Sequence, residues 1–256
     1  MSGASRGGGN RGGDSASGAL RTIPIVALDY PSWSDARALV RTLGDRCRFY
    51  KVGLELFIAE GPRVVQALRD EGSEVFLDLK LHDIPATMRG AAASAAQLGV
   101  KLLTVHAAAG EEGVRAAVEG AGSGTGILAV TVLTSLDRAT LARTWGRSDG
   151  VDVGAEVLRL AGVARSARAH GIVCSGHEVA AVRAEHGDAL APLVPGIRLA
   201  GGEAHDQSRV MTPGEASVAG ARYIILGRAV RGAPDPVAAM DVVRAELEIA
   251  FGGLAG

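Results

Sequence analysis

The chain has 256 residues, of which 47% are hydrophobic but only 4% aromatic, and its formal net charge is −1. Such a length can hold one large domain or two small ones, and an aliphatic composition favours a core of buried parallel strands. A near-neutral chain lacks the general positive charge of proteins that bind nucleic acid or an anionic membrane surface. The expected partner is therefore a small molecule.

The cysteines and the start of the chain favour a cytoplasmic protein. Cys47 and Cys174 are too few for a disulfide framework or for a zinc site of ordinary spacing. No run approaches the roughly 18 apolar residues of a membrane span, and the first residues lack the apolar core of an export signal. We therefore expect a reducing compartment and no membrane partner.

Residues 1–21 form a segment rich in Gly, Ser and Arg. We expect it to be disordered, because it has little apolar surface to bury against the entropy cost of ordering. Its two Arg-Gly-Gly triplets resemble those of RNA-binding tails, whereas a solubilising extension is the simpler interpretation.

From residue 22 onward, short apolar runs alternate with longer stretches of helical periodicity. The predicted strands are 23–28, 49–52, 75–80, 102–106, 127–133, 171–174, 193–195 and 223–226. The predicted helices are 34–43, 62–71, 86–98, 112–121, 155–169, 178–186, 213–219 and 235–248. Eight such pairs favour one α/β domain over residues 22–252, a (β/α)8 TIM barrel, although an open doubly wound sheet has the same alternation. An insertion around residues 137–153 predicts an extra helix over the barrel mouth.

Charged residues stand where the first three predicted strands end, and in a barrel the carboxyl ends of the strands carry the chemistry. They are Asp29, Lys51, Asp78 and Lys80, with Asp83 close behind. Side chains alternate along a strand, so Asp78 and Lys80 should share a face. We therefore expect Lys51, Asp78, Lys80 and Asp83 to lie within reach of one another as alternating cations and anions, which offset the cost of burying one another. The alternatives are a structural ion-pair cluster and a divalent-metal site, and the interleaved lysines disfavour the metal.

Two histidines accompany this cluster. His106 closes the fourth predicted strand and could act as a base, but such a histidine is more often a hydrogen-bonded residue of the barrel mouth. His82, between Leu81 and Asp83, is expected to be structural. We therefore leave both out of the predicted chemistry.

A phosphate site is predicted after the last two strands. Gly227 and Arg228 follow the eighth strand, where backbone amides and a guanidinium can bind an anion. Pro195 and Arg198 follow the seventh strand and precede a Gly-rich run to residue 208, long enough for a lid. The alternative is that both arginines are solvated surface charges.

These residues lie in stretches that resemble the orotidine 5′-phosphate decarboxylase family, specifically its short bacterial type. The stretches are IVALDYP at 25–31, YKVGLELF at 50–57, VFLDLKLHDIPAT at 75–87, VHAAAG at 105–110, AVTVLTS at 129–135, VPGIR at 194–198, DQSRV at 206–210 and LGRAV at 226–230. They run in collinear order, and DLKLHDIP is highly specific. The resemblance implies a barrel that converts orotidine 5′-phosphate to uridine 5′-phosphate and CO2, the final step of de novo pyrimidine synthesis, without cofactor or metal.

The resemblance also implies a role for each matching residue. Lys80 would donate the proton to C6 of the pyrimidine, and Asp78 would lie beside the departing carboxylate. Asp83 and Thr87 would come from the other subunit of a homodimer, so that each active site is shared. The remaining positions would bind substrate: Asp29 and Lys51 at the ribose hydroxyls, Thr134 or Ser135 at the pyrimidine edge, Gln207 between base and phosphate, Gly227 and Arg228 at the phosphate, and Pro195 and Arg198 where the lid begins.

Two alternatives stay open. A related barrel with a similar Asp-x-Lys-x-x-Asp motif uses Mg²⁺ on sugar phosphates, as in hexulose phosphate synthases. A catalytically silent barrel would only bind a phosphorylated ligand or a partner protein, although such a binder has no need of four buried charges. The loop at 199–205 and the insertion around Asp149 depart from the family pattern, which leaves lid kinetics and substrate affinity open.

Overall fold

The structure is a computed structural model that describes residues 22–147, 150–199 and 211–254. The predicted tail at 1–21, Gln207 and nearly all of the predicted lid lie outside the described residues. Within the described ranges, none of the helices has the length and apolar character that a membrane crossing requires.

Eight parallel strands close into a barrel in which each strand pairs with the next and the eighth pairs with the first. The strands are β1 Ile23–Ala27, β2 Phe49–Gly53, β3 Glu74–Leu81, β4 Leu102–His106, β5 Gly126–Val130, β6 Gly171–Val173, β7 Ala191–Val194 and β8 Tyr223–Leu226. The predicted (β/α)8 fold is therefore confirmed. The fifth strand ends at Val130, three residues earlier than predicted, because the chain leaves the sheet there for the predicted insertion.

Helices follow the strands in the described part of the chain. They are α1 Trp33–Leu43, α2 Leu54–Glu60, α3 Arg63–Asp70, α4 Pro85–Gln97, α5 Gly110–Ala121, α6 Arg138–Thr144, α7 Val153–Ser166, α8 Val179–His186, α9 Pro213–Val218, α10 Arg228–Arg231 and α11 Pro236–Leu254. The eight predicted helices are present with shifted ends, and α6 is the helix expected in the insertion. Helices α2 and α10 were not predicted, because each begins within two residues of the end of a strand and spans only one or two turns.

Apolar side chains alternate between two buried clusters along each strand. In β1, Ile25 and Ala27 join an inner cluster of strand residues, while Val26 packs in the larger cluster with the helices. Both faces of a parallel barrel are covered, so both sets are apolar. In β3 the inner residue is Phe76, and the same face two residues later carries Asp78. The barrel therefore delivers Asp78 to the interior side of its mouth.

A glycine sets the spacing of β6 and β7. A Cβ built on Gly171 would lie 2.0 Å from the carbonyl oxygen of Ala191, whereas a Cβ on Gly162 in α7 would meet nothing within 4 Å. We expect Gly171→Ala to lower the free energy of unfolding by about 1–3 kcal/mol, because the strands must move apart. Gly162→Ala should leave it unchanged or raise it by about 0.5–1 kcal/mol, since alanine favours helix. Urea unfolding of both variants checks this, and equal midpoints would contradict it.

Candidate active site

A cavity of about 170 Å³ opens at the carboxyl ends of the strands. Its polar wall contains Lys51, Asp78, Lys80 and Thr134. The other lining residues are apolar: Phe76, Val130, Val132, Leu133, Val173, Leu193, Pro195 and Ile225. A small cavity with one charged wall and one apolar wall suits a flat ring that carries a charged substituent.

Four charged side chains form a row along the polar wall, with opposite signs alternating. Lys51 Nζ lies 2.8 Å from Asp29 Oδ1 and 3.7 Å from Asp78 Oδ2. Lys80 Nζ lies 2.9 Å from Asp78 Oδ1. Neighbouring strands supply these residues, since Ala27 pairs with Lys51 and Gly53 with Asp78 in the sheet register. The predicted grouping of Asp29, Lys51, Asp78 and Lys80 is therefore present in one protomer.

Gly53 makes room for the lysine in the middle of this row. The Lys51 side chain is only 11% exposed, and a Cβ built on Gly53 would lie 2.8 Å from its Nζ and 3.4 Å from Asp29 Oδ1. A side chain at this position would require the Lys51 ammonium to shift where it contacts Asp29. Gly53 was not predicted as a site residue, although its position two residues after Lys51, on the same face of the strand, indicates that it lies beside the lysine.

Asp78 is the most enclosed carboxylate of the row, with 13% of its side chain exposed. Burial by itself would raise the pKa of Asp78, but the positive charges of Lys51 and Lys80 and hydrogen bonds from Lys80 and Thr104 outweigh burial and lower it. Asp78 is therefore an anion at neutral pH. Both of its oxygens face lysine nitrogens.

The backbone at Lys80 departs from an ordinary strand. Lys80 has a φ of +52°, a left-handed conformation uncommon for residues other than glycine. The β3–β4 register also shifts there, since Leu77 pairs with Leu103 but Leu81 with Val105. The Lys80 N–H donates to Thr104 Oγ1 at 2.9 Å, and this oxygen lies 2.9 Å from Asp78 Oδ1. Thr104 was not predicted as a site residue, because a threonine within an apolar strand is usually a β-branched core residue.

Asp83 and Thr87 are not part of the row. Strand β3 ends at Leu81, so Asp83 lies in the segment before α4, where its carboxylate is exposed and Oδ1 accepts from the Ile84 N–H at 2.7 Å. Thr87 in the first turn of α4 is also exposed. The described ion pairs include none between Asp83 and a lysine of its own protomer. The spacing thus brings together three of the four residues of the predicted Lys51, Asp78, Lys80 and Asp83 set.

The remaining predicted binding residues lie around the mouth. Thr134 lines the cavity, while Ser135 is exposed and outside its lining. Pro195 also lines the cavity, and Arg198 Nη1 donates to the Ile197 carbonyl at 2.9 Å. Gly227 precedes α10 and Arg228 is its first residue, with an exposed side chain.

A second arginine connects α10 to the charged row. Arg231 Nη1 donates to the backbone carbonyl of Asp29 at 2.8 Å, and its guanidinium lies 5.4 Å from the centre of the Tyr30 ring. The short helix that begins with Arg228 is thereby fastened to the residue whose carboxylate holds Lys51. The sequence analysis missed Arg231, because nothing in its local pattern indicates a backbone acceptor so far away in the chain.

The two histidines lie beside Lys80. The rings of His82 and His106 are 5.4 Å apart between centres. Burial, followed by the positive influence of His82 and Lys80, lowers the pKa of His106 below its usual value. His106 is therefore mostly neutral at pH 7.

Larger concavities occur elsewhere but lack this chemistry. One of about 560 Å³ is lined by His170, Arg183 and Arg222 at the amino end of the barrel, the end that does not carry active sites in this fold. Among the residues that the structure describes, no three His, Cys, Asp or Glu side chains are grouped to hold a metal ion. The charged cavity at the carboxyl end is therefore the candidate active site.

Comparisons with known proteins identify relatives of this chain. A family model described as Orotidine 5′-phosphate decarboxylase / HUMPS family matches residues 22–243. An orotidine 5′-phosphate decarboxylase from Anaeromyxobacter sp. (strain K) is 54% identical over 226 residues, which cover 87% of this chain and 96% of that protein. One from Chromohalobacter salexigens is 45% identical over 232 residues, covering 89% and 97%.

Solved structures show the same fold. The crystal structure of orotidine 5′-phosphate decarboxylase from Lactobacillus acidophilus matches with a TM-score of 0.78 at 35% identity, covering 89% of this chain and 99% of that one. An orotidine 5′-phosphate decarboxylase from Pyrococcus horikoshii matches with a TM-score of 0.71 at 25% identity. The chain therefore belongs to the orotidine 5′-phosphate decarboxylase / HUMPS family.

Proposed function

We propose that this chain is an enzyme that decarboxylates orotidine 5′-phosphate to uridine 5′-phosphate and CO2, the last step of de novo pyrimidine synthesis. The observation that carries the proposal is the row Asp29, Lys51, Asp78 and Lys80 along one wall of the mouth cavity. Relatives named for this activity at 54% identity support it. A cytoplasmic location is part of the proposal, and the free Cys47 and Cys174 support it.

The chemical problem is a negative charge left on a ring carbon that no cofactor can delocalise. As the bond between C6 and the carboxylate breaks, its electron pair stays on C6, and Lys80 Nζ gives a proton to C6 while CO2 leaves. An ammonium in a poorly hydrated cavity stabilises the forming anion much more than it would in water. Asp78 supports this role, because its contact with Lys80 Nζ at 2.9 Å aims the ammonium along the cavity wall.

The other mouth residues would hold the substrate against this wall. The ribose hydroxyls would contact Asp29 and Lys51, and the phosphate would bind at Gly227 and Arg228, where α10 begins. The cavity position of Thr134 favours it over Ser135 at the pyrimidine edge. Gln207, outside the described residues, would bridge base and phosphate, and Arg198 would lie where the lid starts. Binding the phosphate far from C6 would supply binding energy that helps to stabilise the transition state at C6.

The Mg²⁺-dependent reaction of sugar phosphates is the second candidate, since the family description also names HUMPS. A metal would need free carboxylate oxygens, but Asp78 Oδ1 and Oδ2 already face Lys80 and Lys51. Two ammonium groups so close would also repel the cation. The charged row therefore supports decarboxylation without a metal or another cofactor.

We also propose a homodimer with shared active sites. Asp83 and Thr87 are exposed in the protomer, and Ile84 between them is 67% exposed. On the neighbouring unit of the barrel, Ile58 in α2 is 79% exposed. Large aliphatic side chains next to the exposed Asp83 carboxylate indicate a surface that a second copy covers, because burying each isoleucine stabilises the contact by about 1.5–3 kcal/mol. The second copy would bring its Asp83 and Thr87 to this site.

Purified protein should decarboxylate orotidine 5′-phosphate without any additive. We expect the absorbance of the substrate to fall on mixing, and EDTA to leave the rate unchanged. Inactivation by EDTA that Mg²⁺ reverses would favour the sugar-phosphate reaction. No absorbance change at micromolar enzyme would rule out the decarboxylase.

Lys80→Ala should abolish turnover but keep nucleotide binding. We expect kcat to fall by at least about 10²- to 10³-fold, the loss typical of one preorganised charge, while uridine 5′-phosphate still binds. Lys101→Ala is the matched control, because Lys101 is 56% exposed and pairs with Glu74 at 3.9 Å at the other end of the barrel. A Lys80→Ala protein as active as the Lys101→Ala protein would refute the proton-donor role.

Mixed dimers test the shared site. Lys80→Ala and Asp83→Ala proteins should each be nearly inactive, and subunit exchange between them should restore activity at the one site that combines an intact Lys80 with an intact partner Asp83. A mixture of Lys80→Ala with Lys51→Ala is the control and should stay inactive, because both losses fall in the same half of the site. Mixed dimers of the first kind without activity would disprove sharing.

A further inference from the structure

Thr104 is buried in the middle of β4, between two functional groups of β3. Its exposure is 0%, and it is not among the residues that line the mouth cavity. Its hydroxyl oxygen lies 2.9 Å from the backbone nitrogen of Lys80 and 2.9 Å from Asp78 Oδ1. One buried hydroxyl therefore contacts both residues that the proposed reaction requires most.

Chemistry fixes the direction of both hydrogen bonds. A backbone N–H can only donate, so Thr104 Oγ1 accepts from Lys80. An ionised carboxylate can only accept, so the single hydroxyl proton of Thr104 goes to Asp78 Oδ1. Asp78 Oδ1 also accepts from Lys80 Nζ at 2.9 Å. The hydroxyl thus closes a ring of hydrogen bonds through the Lys80 amide, the Lys80 ammonium and the Asp78 carboxylate.

This ring coincides with the irregular part of β3. A non-glycine residue in a left-handed conformation is strained and persists only where its surroundings enforce it. Lys80 adopts that conformation with a φ of +52° where the β3–β4 register shifts. Its amide needs a partner in this half-buried position, and Thr104 provides one.

We propose that Thr104 is a positioning residue for the decarboxylation, because its hydroxyl holds the Lys80 backbone in the left-handed turn and fixes the Asp78 oxygen that aims the Lys80 ammonium. Thr104 touches no substrate in this role. It acts through Lys80 and Asp78, and the proposal rests on the function proposed above.

Two substitutions separate the hydroxyl from the shape of the side chain. Thr104→Val keeps the branched shape and removes the hydroxyl, so we expect kcat to fall about 10- to 100-fold, the range for losing one hydrogen bond to a charged group, with KM changed by less than about threefold. Thr104→Ser keeps the hydroxyl and should recover most of kcat. If Thr104→Val does not fold, Thr104→Ala takes its place in the test, because it also lacks the hydroxyl.

Thr125→Val is the matched control. Thr125 is also buried at 5% exposure, and its hydroxyl donates to the Val100 carbonyl at 2.7 Å, just before the amino end of β5. Its loss should lower thermal stability by a similar amount and leave kcat unchanged. A Thr104→Val enzyme no slower than the Thr125→Val enzyme, or a Thr104→Ser enzyme as slow as Thr104→Val, would overturn the proposal.

Hydrogen exchange of the Lys80 amide gives a readout that does not depend on activity. We expect exchange at least about tenfold faster in Thr104→Val than in the unsubstituted protein and Thr104→Ser, because the amide loses its acceptor. If the unsubstituted protein fails to decarboxylate while this difference appears, the proposed function falls and the contact stands. If the protein decarboxylates and the exchange does not change, the proposal for Thr104 falls.

Discussion

The burial of Asp78 between two lysines is the constraint on which the site depends. An isolated carboxylate at 13% exposure would pay several kcal/mol in lost hydration, and so would each ammonium beside it. The cost is tolerable only if every member keeps its partner at short range. Gly53 must therefore stay small beside Lys51, Asp29 must face Lys51 from the segment that follows β1, and Thr104 must fill the last hydrogen-bonding position of Asp78 Oδ1.

The barrel provides this arrangement because four consecutive strands meet at one edge. Asp29, Lys51, Asp78 and Thr104 belong to or directly follow β1 to β4, and the parallel pairing fixes their heights relative to one another. Arg231 in α10, which follows β8, connects to the same edge through its hydrogen bond to the Asp29 carbonyl. The strands therefore hold these residues in fixed positions relative to one another, which favours a preorganised site over an adaptable one.

The sequence predicted the parts that follow from periodicity, and missed the parts that depend on exceptions to it. Alternating strand and helix patterns predicted the barrel, and the two-residue spacing of Asp78 and Lys80 predicted their shared face. The spacing could not reveal that Lys80 has a left-handed backbone, since this conformation occurs at an irregularity of the β3–β4 register that a regular two-residue pattern does not predict. Thr104 was not predicted because its hydroxyl contacts residues of the neighbouring strand β3. Gly53 was not predicted because what matters there is the absence of a Cβ, which leaves room for Lys51. Asp83 was predicted near the row by its spacing, but the end of β3 turns it outward.

The balance of charge in the row also bears on how the proposed reaction proceeds. Two carboxylates and two ammonium groups leave the row neutral, so it needs no further counter-ion. During decarboxylation the negative charge of the substrate moves from its carboxylate to C6, a displacement of about one bond, and the atoms of the row stay in place as Lys80 passes its proton to C6. A rigid row stabilises the negative charge that forms on C6 without having to reorganise. Electrostatic stabilisation contributes most to the rate under this condition. The same rigidity explains why the buried hydroxyl of Thr104 matters. A mobile Lys80 ammonium would stay close to the departing carboxylate, whereas a fixed one remains beside C6.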